Sequence, residues 1–130
     1  MLNIIEEINK ELVSISNSTK LLNDLQNKNI FSTSDIYLIK SRAGELLNCM
    51  QKLEYINSGT SKKEVIKTLK LTIESIQGAV QLLRDIQSME SSLSASSLYR
   101  IKLNATDLAR AGRKLQSLKA TLENQDTKNQ

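Results

Sequence analysis

Apolar residues recur along this chain at alternating steps of three and four, the spacing that keeps one face of an α-helix turned toward a packed seam. In the first segment the series is Met1, Ile5, Ile8, Leu12, Ile15, Thr19 and Leu22, and Leu21 and Leu25 widen it toward its end. A stripe of that width suits a helix in a bundle. Polar Asn27, Lys28 and Asn29 then break the pattern. The stretch Phe31-Ser32-Thr33-Ser34-Asp35-Ile36 restarts it. With Ser32 as N-cap, Asp35 falls at the third helical position, and Phe31 and Ile36 form the two ends of a hydrophobic staple.

A second helical series follows through Ile36, Ile39, Ala43, Leu46, Met50 and Leu53. Asn57-Ser58-Gly59 predicts its end, with Gly59 free to take the left-handed conformation past a helix terminus. Ser61 and Glu64 have the spacing of another capping box. The third series is Ile66, Leu69, Ile73, Ile76, Val80, Leu83 and Ile86. The stretch Ser88 to Ser97 holds six serines and only scattered apolar residues, so it contains the last turn or continues as a poor helix. The fourth series is Leu98, Ile101, Ala105, Leu108, Gly112, Leu115, Leu118 and Leu122. Residues 1–123 therefore read as one helical domain and 124–130 as a polar tail that frays.

Four helices of about 25 residues each, close to 40 Å long at 1.5 Å per residue, joined by short connections, make antiparallel neighbours. The predicted fold is all-α: an antiparallel, up-down four-helix bundle. Long helical hairpins that complete their core with a second chain carry the same periodicity, so a homodimer is the competing architecture.

Composition supports helices. The 130 residues include no proline, four glycines and only four aromatic side chains, which disfavours a sandwich or barrel. The longest apolar runs fall far short of the roughly 18 residues of a membrane span. Glu6 and Glu7 stand where a signal peptide would be basic, and Cys49 is the one cysteine, so a reducing, cytoplasmic setting is expected. The sequons at Asn17 and Asn104 then carry no meaning.

Chemistry is limited by the absence of histidine. No Ser-His-Asp or Cys-His catalysis, no HExxH zinc site and no imidazole base is available. Glu6, Glu7 and Glu11 cluster near the start, but without the Glu-x-x-His element of a di-iron bundle they read as a solvated helix end. Cys49 lies beside the apolar stripe and reads as a small hydrophobe. Ala111-Gly112-Arg113-Lys114 lacks the spacing and the preceding strand of a phosphate loop. The chain is expected to be non-enzymatic, with no cofactor and no metal.

Gly44, Gly78 and Gly112 fall inside predicted helices, where each costs about 1 kcal/mol relative to alanine. They predict close helix crossings. Arg42-Ala43-Gly44 and Arg110-Ala111-Gly112 echo one another, too briefly for a repeat.

Charge adds a functional expectation. The net charge is +4, and residues 91–130, with seven basic and three acidic side chains, carry an excess of the same size. Lys102, Arg110, Arg113 and Lys114 fall opposite Ile101, Leu108 and Leu115 on the fourth helix, forming an outward basic stripe. Leu21, Leu38, Leu47, Leu71, Leu82 and Leu103 lie off the seams, where they broaden the core or offer apolar contact to a partner. The expected function is a non-catalytic protein-binding bundle, such as an assembly or secretion chaperone, an adaptor or an inhibitor. Its expected partner is another protein, acidic or helical. The alternative is a nucleic-acid-binding regulatory or packaging protein that uses the basic stripe; aromatic platforms for stacking on bases are nearly lacking.

Overall fold

A computed structural model describes residues 2–89 and 92–128 of the chain. Four α-helices account for most of them: α1 (Leu2–Leu25), α2 (Thr33–Glu54), α3 (Lys62–Gln87) and α4 (Ala95–Lys128). No strand occurs among the described residues. Helix α1 packs on α2, α2 on α3, α3 on α4, and α4 back on α1. A single chain therefore closes the ring, and the fold is the all-α four-helix bundle that the periodicity predicts.

The seam residues form its core. Ile8, Ile15 and Leu22 of α1, Ile39, Leu46 and Leu53 of α2, Leu69, Ile76 and Leu83 of α3, and Ile101, Leu108, Leu115 and Leu122 of α4 are buried in one cluster. Ile5, Leu12, Ile36, Met50, Ile66 and Val80 pack on it half-buried. Met1 lies outside the described residues. Leu21 and Leu82, off the strict seams, are also buried, so both broaden the core.

The starts of the helices have local causes. Ser32 Oγ accepts from the Asp35 N–H at 3.1 Å, and Ser61 Oγ accepts from the Glu64 N–H at 3.2 Å. Phe31 is buried and Ile36 half-buried, as the staple requires. The fourth helix starts earlier than its stripe: Ser94 Oγ accepts from the Ser97 N–H at 3.2 Å. Three of the four helices thus begin on a serine that satisfies an amide with no intrahelical partner.

Two local expectations need correction. Gly59 has no positive φ. Helix α2 ends on Tyr55 in a right-handed conformation, and the turn after it is held by Asn57, whose Oδ1 accepts from the Gly59 N–H at 2.8 Å. Thr60 Oγ1 closes the same turn by accepting from the Asn57 N–H at 3.0 Å. Side-chain acceptors, rather than a left-handed glycine, turn the chain here. Nor does helix stop at residue 123, because α4 continues to Lys128, well into the segment expected as a tail.

The three helical glycines also differ. A Cβ on Gly112 would lie 3.0 Å from Ile76 Cγ2, which makes this the close crossing of α3 and α4. Gly78 is covered by the Arg42 side chain, whose Nε would lie 3.2 Å from an added Cβ. Gly44 has nothing within 4 Å of that position, so no crossing explains it.

Candidate functional site

The crossing at Gly112 opens a groove between α3 and α4, with a volume of about 610 Å³. From α3 it is lined by Ile73, Ile76, Gln77, Val80, Gln81 and Arg84, a run of three- and four-residue steps along one helix face. From α4 it is lined by Ala109, Gly112, Arg113, Gln116 and Ser117. Small residues on α4 create it: Ala109 and Gly112 have too little side chain to cover the flank of α3. Its apolar lining is the buried Ile73 and Ile76 at the floor and half-buried Val80 beside them, and its polar groups are three glutamines, a serine and two arginines. No carboxylate lines it.

Arg84 and Arg113 sit toward opposite ends of this groove. With Ile76 opposite Gly112, the two positions are separated by roughly nine residues along the antiparallel pair, or about 13 Å at 1.5 Å per residue. Neither guanidinium pairs with a carboxylate among the described residues. Gln81 Nε2 donates to Asp85 Oδ1 at 2.9 Å, which fixes one amide on the rim.

The basic stripe expected on the fourth helix is divided. Lys102, Arg110, Arg113 and Lys114 are all exposed. Lys114, however, turns toward α1, where its Nζ lies 3.3 Å from Glu7 Oε2. Arg110 lies 3.4 Å from Asp107 on its own helix. Arg113 joins the groove on the opposite flank, and Lys102 shares neither arrangement. Arg100, not part of the stripe, bridges to Asp24 of α1 at 2.7 Å. Two of the four stripe cations are thus paired within the chain.

Glu7 is the hub of the α1–α4 flank. It accepts from Lys10 at 2.9 Å, and Lys10 and then Lys114 hold its carboxyl below the ordinary glutamate range. Lys10 is raised in turn by its bond to Glu7. Glu11, one turn further on, moves the other way: partial burial raises it, and Lys114 only partly offsets that.

The off-seam leucines also separate. Leu38, Leu47, Leu71 and Leu103 remain exposed, with Leu103 the most open at 46%. Leu82, at 8%, belongs to the core and is withdrawn from any surface contact. Leu71 lines a second, smaller hollow of about 390 Å³ with Lys52, Tyr55, Ile56, Thr60, Glu64, Lys67 and Thr68, where α2 ends and α3 begins. Cys49 is buried and donates to Ser75 Oγ at 3.4 Å across the α2–α3 seam.

Among the described residues, no three His, Cys, Asp or Glu side chains converge as a metal site, and no helix is long and apolar enough to cross a membrane. Sequence reasoning finds Arg113 but misses its partners in the groove: Arg84, Gln77, Gln81 and Gln116. Each is an ordinary polar residue on its own helix, and only the pairing of α3 with α4 assembles them. The chain matches no protein-family model, no curated protein and no solved structure.

Proposed function

We propose that this chain is a non-catalytic helical bundle that acts by binding another protein, as a chaperone, adaptor or inhibitor does, and that the α3–α4 groove is its contact face. The observation that carries this reading is the groove itself. It is an open trough of about 610 Å³ floored by buried Ile73 and Ile76 and flanked by half-buried Val80, larger than the hollow of about 390 Å³ where α2 ends and α3 begins. Grooves of that make-up between helices suit an added helix from a partner. None of the exposed leucines lines this trough, and Leu71 lines the smaller hollow. A cytoplasmic, reducing setting accords with the lone buried Cys49 thiol.

Site-specific photocrosslinking in the native host tests the reading. A crosslinking residue at Gln77 or Gln116 is expected to trap a defined protein. The same residue at exposed Lys40 or Asn48 on α2 is expected to trap nothing in common with it. Ala109→Trp, which fills the trough from α4, should abolish the groove crosslinks while the helical circular dichroism stays unchanged. Equal trapping from both faces, or trapping that survives Ala109→Trp, would remove the groove as the contact.

The nucleic-acid reading draws on Lys102 and Arg113, the two stripe cations without a carboxylate partner among the described residues. The pairing of Lys114 with Glu7 and of Arg110 with Asp107 weakens it.

A further inference from the structure

The geometry points to the occupant of the α3–α4 groove: an acidic, amphipathic helical segment of a partner protein, about three turns long. This rests on the groove being the contact face and specifies what fills it.

Three features of the trough select that chemistry. Its charge is of one sign, because Arg84 and Arg113 are its ionised side chains and no carboxylate lines it. An anionic occupant meets both guanidiniums, and a cationic one is repelled. Its length comes from the α3 face: Ile73 to Arg84 spans eleven steps, about 16 Å or three helical turns. Its walls are helices, whose backbone amides and carbonyls are already bonded within α3 and α4. An extended peptide finds no free backbone edge here to pair with, whereas a helix brings its hydrogen bonds with it. Apolar residues at three- and four-residue steps then meet half-buried Val80 and the outer edge of Ile73. Glutamates or aspartates near each end meet Arg84 and Arg113, and Gln77 and Gln116 offer rim contacts that tolerate either end.

The test uses the full chain, isotopically labelled, and two stapled helical peptides of three turns. Both carry leucines at i, i+3, i+4 and i+7; one has glutamates at each end and its twin has lysines. The glutamate peptide is expected to shift the amide resonances of Gln77, Gln81, Gly112 and Arg113. It should bind about tenfold or more tighter than its twin, an advantage that shrinks as salt is raised. In the double variant R84E/R113E the preference should reverse. The milder R84Q/R113Q should abolish the preference without a like charge in the last turn of α3, and circular dichroism checks that both variants stay helical. Equal binding of the two peptides would overturn the proposal. So would shifts that map to another face, or no shift up to about 1 mM peptide. Inorganic phosphate or an oligonucleotide that shifts the same amides more tightly than the glutamate peptide would also overturn it, in favour of phosphate recognition. Should groove crosslinks persist while the peptides show no charge preference, the contact face stands and only its occupant is wrong. Loss of the crosslinks removes both.

Discussion

Gly44 and Gly112 close the two Arg-Ala-Gly triplets of the chain, yet one faces open space and the other faces Ile76. Substitution by alanine removes the same backbone entropy penalty at both, about 1 kcal/mol in a helix interior. At Gly44 nothing opposes that gain, so Gly44→Ala should stabilise the fold by about 0.5–1 kcal/mol in urea denaturation. At Gly112 the new methyl would lie 3.0 Å from Cγ2 of fully buried Ile76, which must then shift, and overpacking of this kind costs about 1–3 kcal/mol. Gly112→Ala should therefore be net destabilising. A second residue breaks the rule that buried polar atoms are satisfied: Ser18 is fully buried and its Oγ has no partner among the described residues. Adjacent Thr19 shows the alternative, since its hydroxyl donates to the Ile15 carbonyl at 2.8 Å. Ser18→Ala should raise stability by about 1 kcal/mol, because it deletes an unpaired hydroxyl and adds helix propensity. An unchanged or lower denaturation midpoint would mean that the hydroxyl finds a partner. The apolar series already separates the two glycines, because Gly112 belongs to it and Gly44 falls one residue past Ala43, whereas nothing in the sequence singles out Ser18 beside Thr19 of the stripe.

The elements were largely legible because each level of the sequence agrees with the next. The seams give the helices, and Ser32 and Ser61 give the starts of α2 and α3. Ser32→Ala, Ser61→Ala and Ser94→Ala should each cost about 1 kcal/mol by thermal or urea unfolding, since each removes an acceptor from a helix-start amide. The third case escaped sequence reading because the serine-rich stretch offers several caps of equal chemistry, and the apolar stripe begins only at Leu98. The α1–α4 flank adds a pH dependence with two opposing parts. Glu7 is held below its ordinary value of 4.5, so the stability it contributes is present above that pH and is lost as the pH falls through its lower, folded value. Glu11 is raised, so its charge is a cost at neutral pH that acidification relieves. Glu7→Gln should lower the midpoint at pH 7 and flatten the acid limb below about pH 4.5. Glu11→Gln should raise the midpoint at pH 7. Both are read from thermal unfolding across pH 3–8, and the same sign for the two variants would contradict the assignment.

At the scale of the whole molecule, the groove and the divided stripe share one cause. A helical wheel places Arg113 and Lys114 on the outer half of α4, but it cannot say which neighbour lies on either flank. The ring of packed helices decides that: α1 takes Lys114 and α3 takes the side of Arg113. Reversal of all four stripe charges would therefore not be innocuous, because a glutamate at 114 would face Glu7 beside Glu11. The cleaner test of nucleic-acid binding leaves Lys114 in place and combines Lys102→Glu, Arg110→Glu and Arg113→Glu. With two of the stripe's four cations already paired, that face offers few charges for counterion release from a duplex. Its affinity for a short DNA or RNA duplex at physiological salt should be weaker than about 100 µM and indifferent to sequence. The triple variant should differ little from it in fluorescence anisotropy. Submicromolar binding by the parent, with a steep salt slope and loss in the triple variant, would instead make the exposed face of α4 the functional surface and leave the α3–α4 groove without the role given to it here.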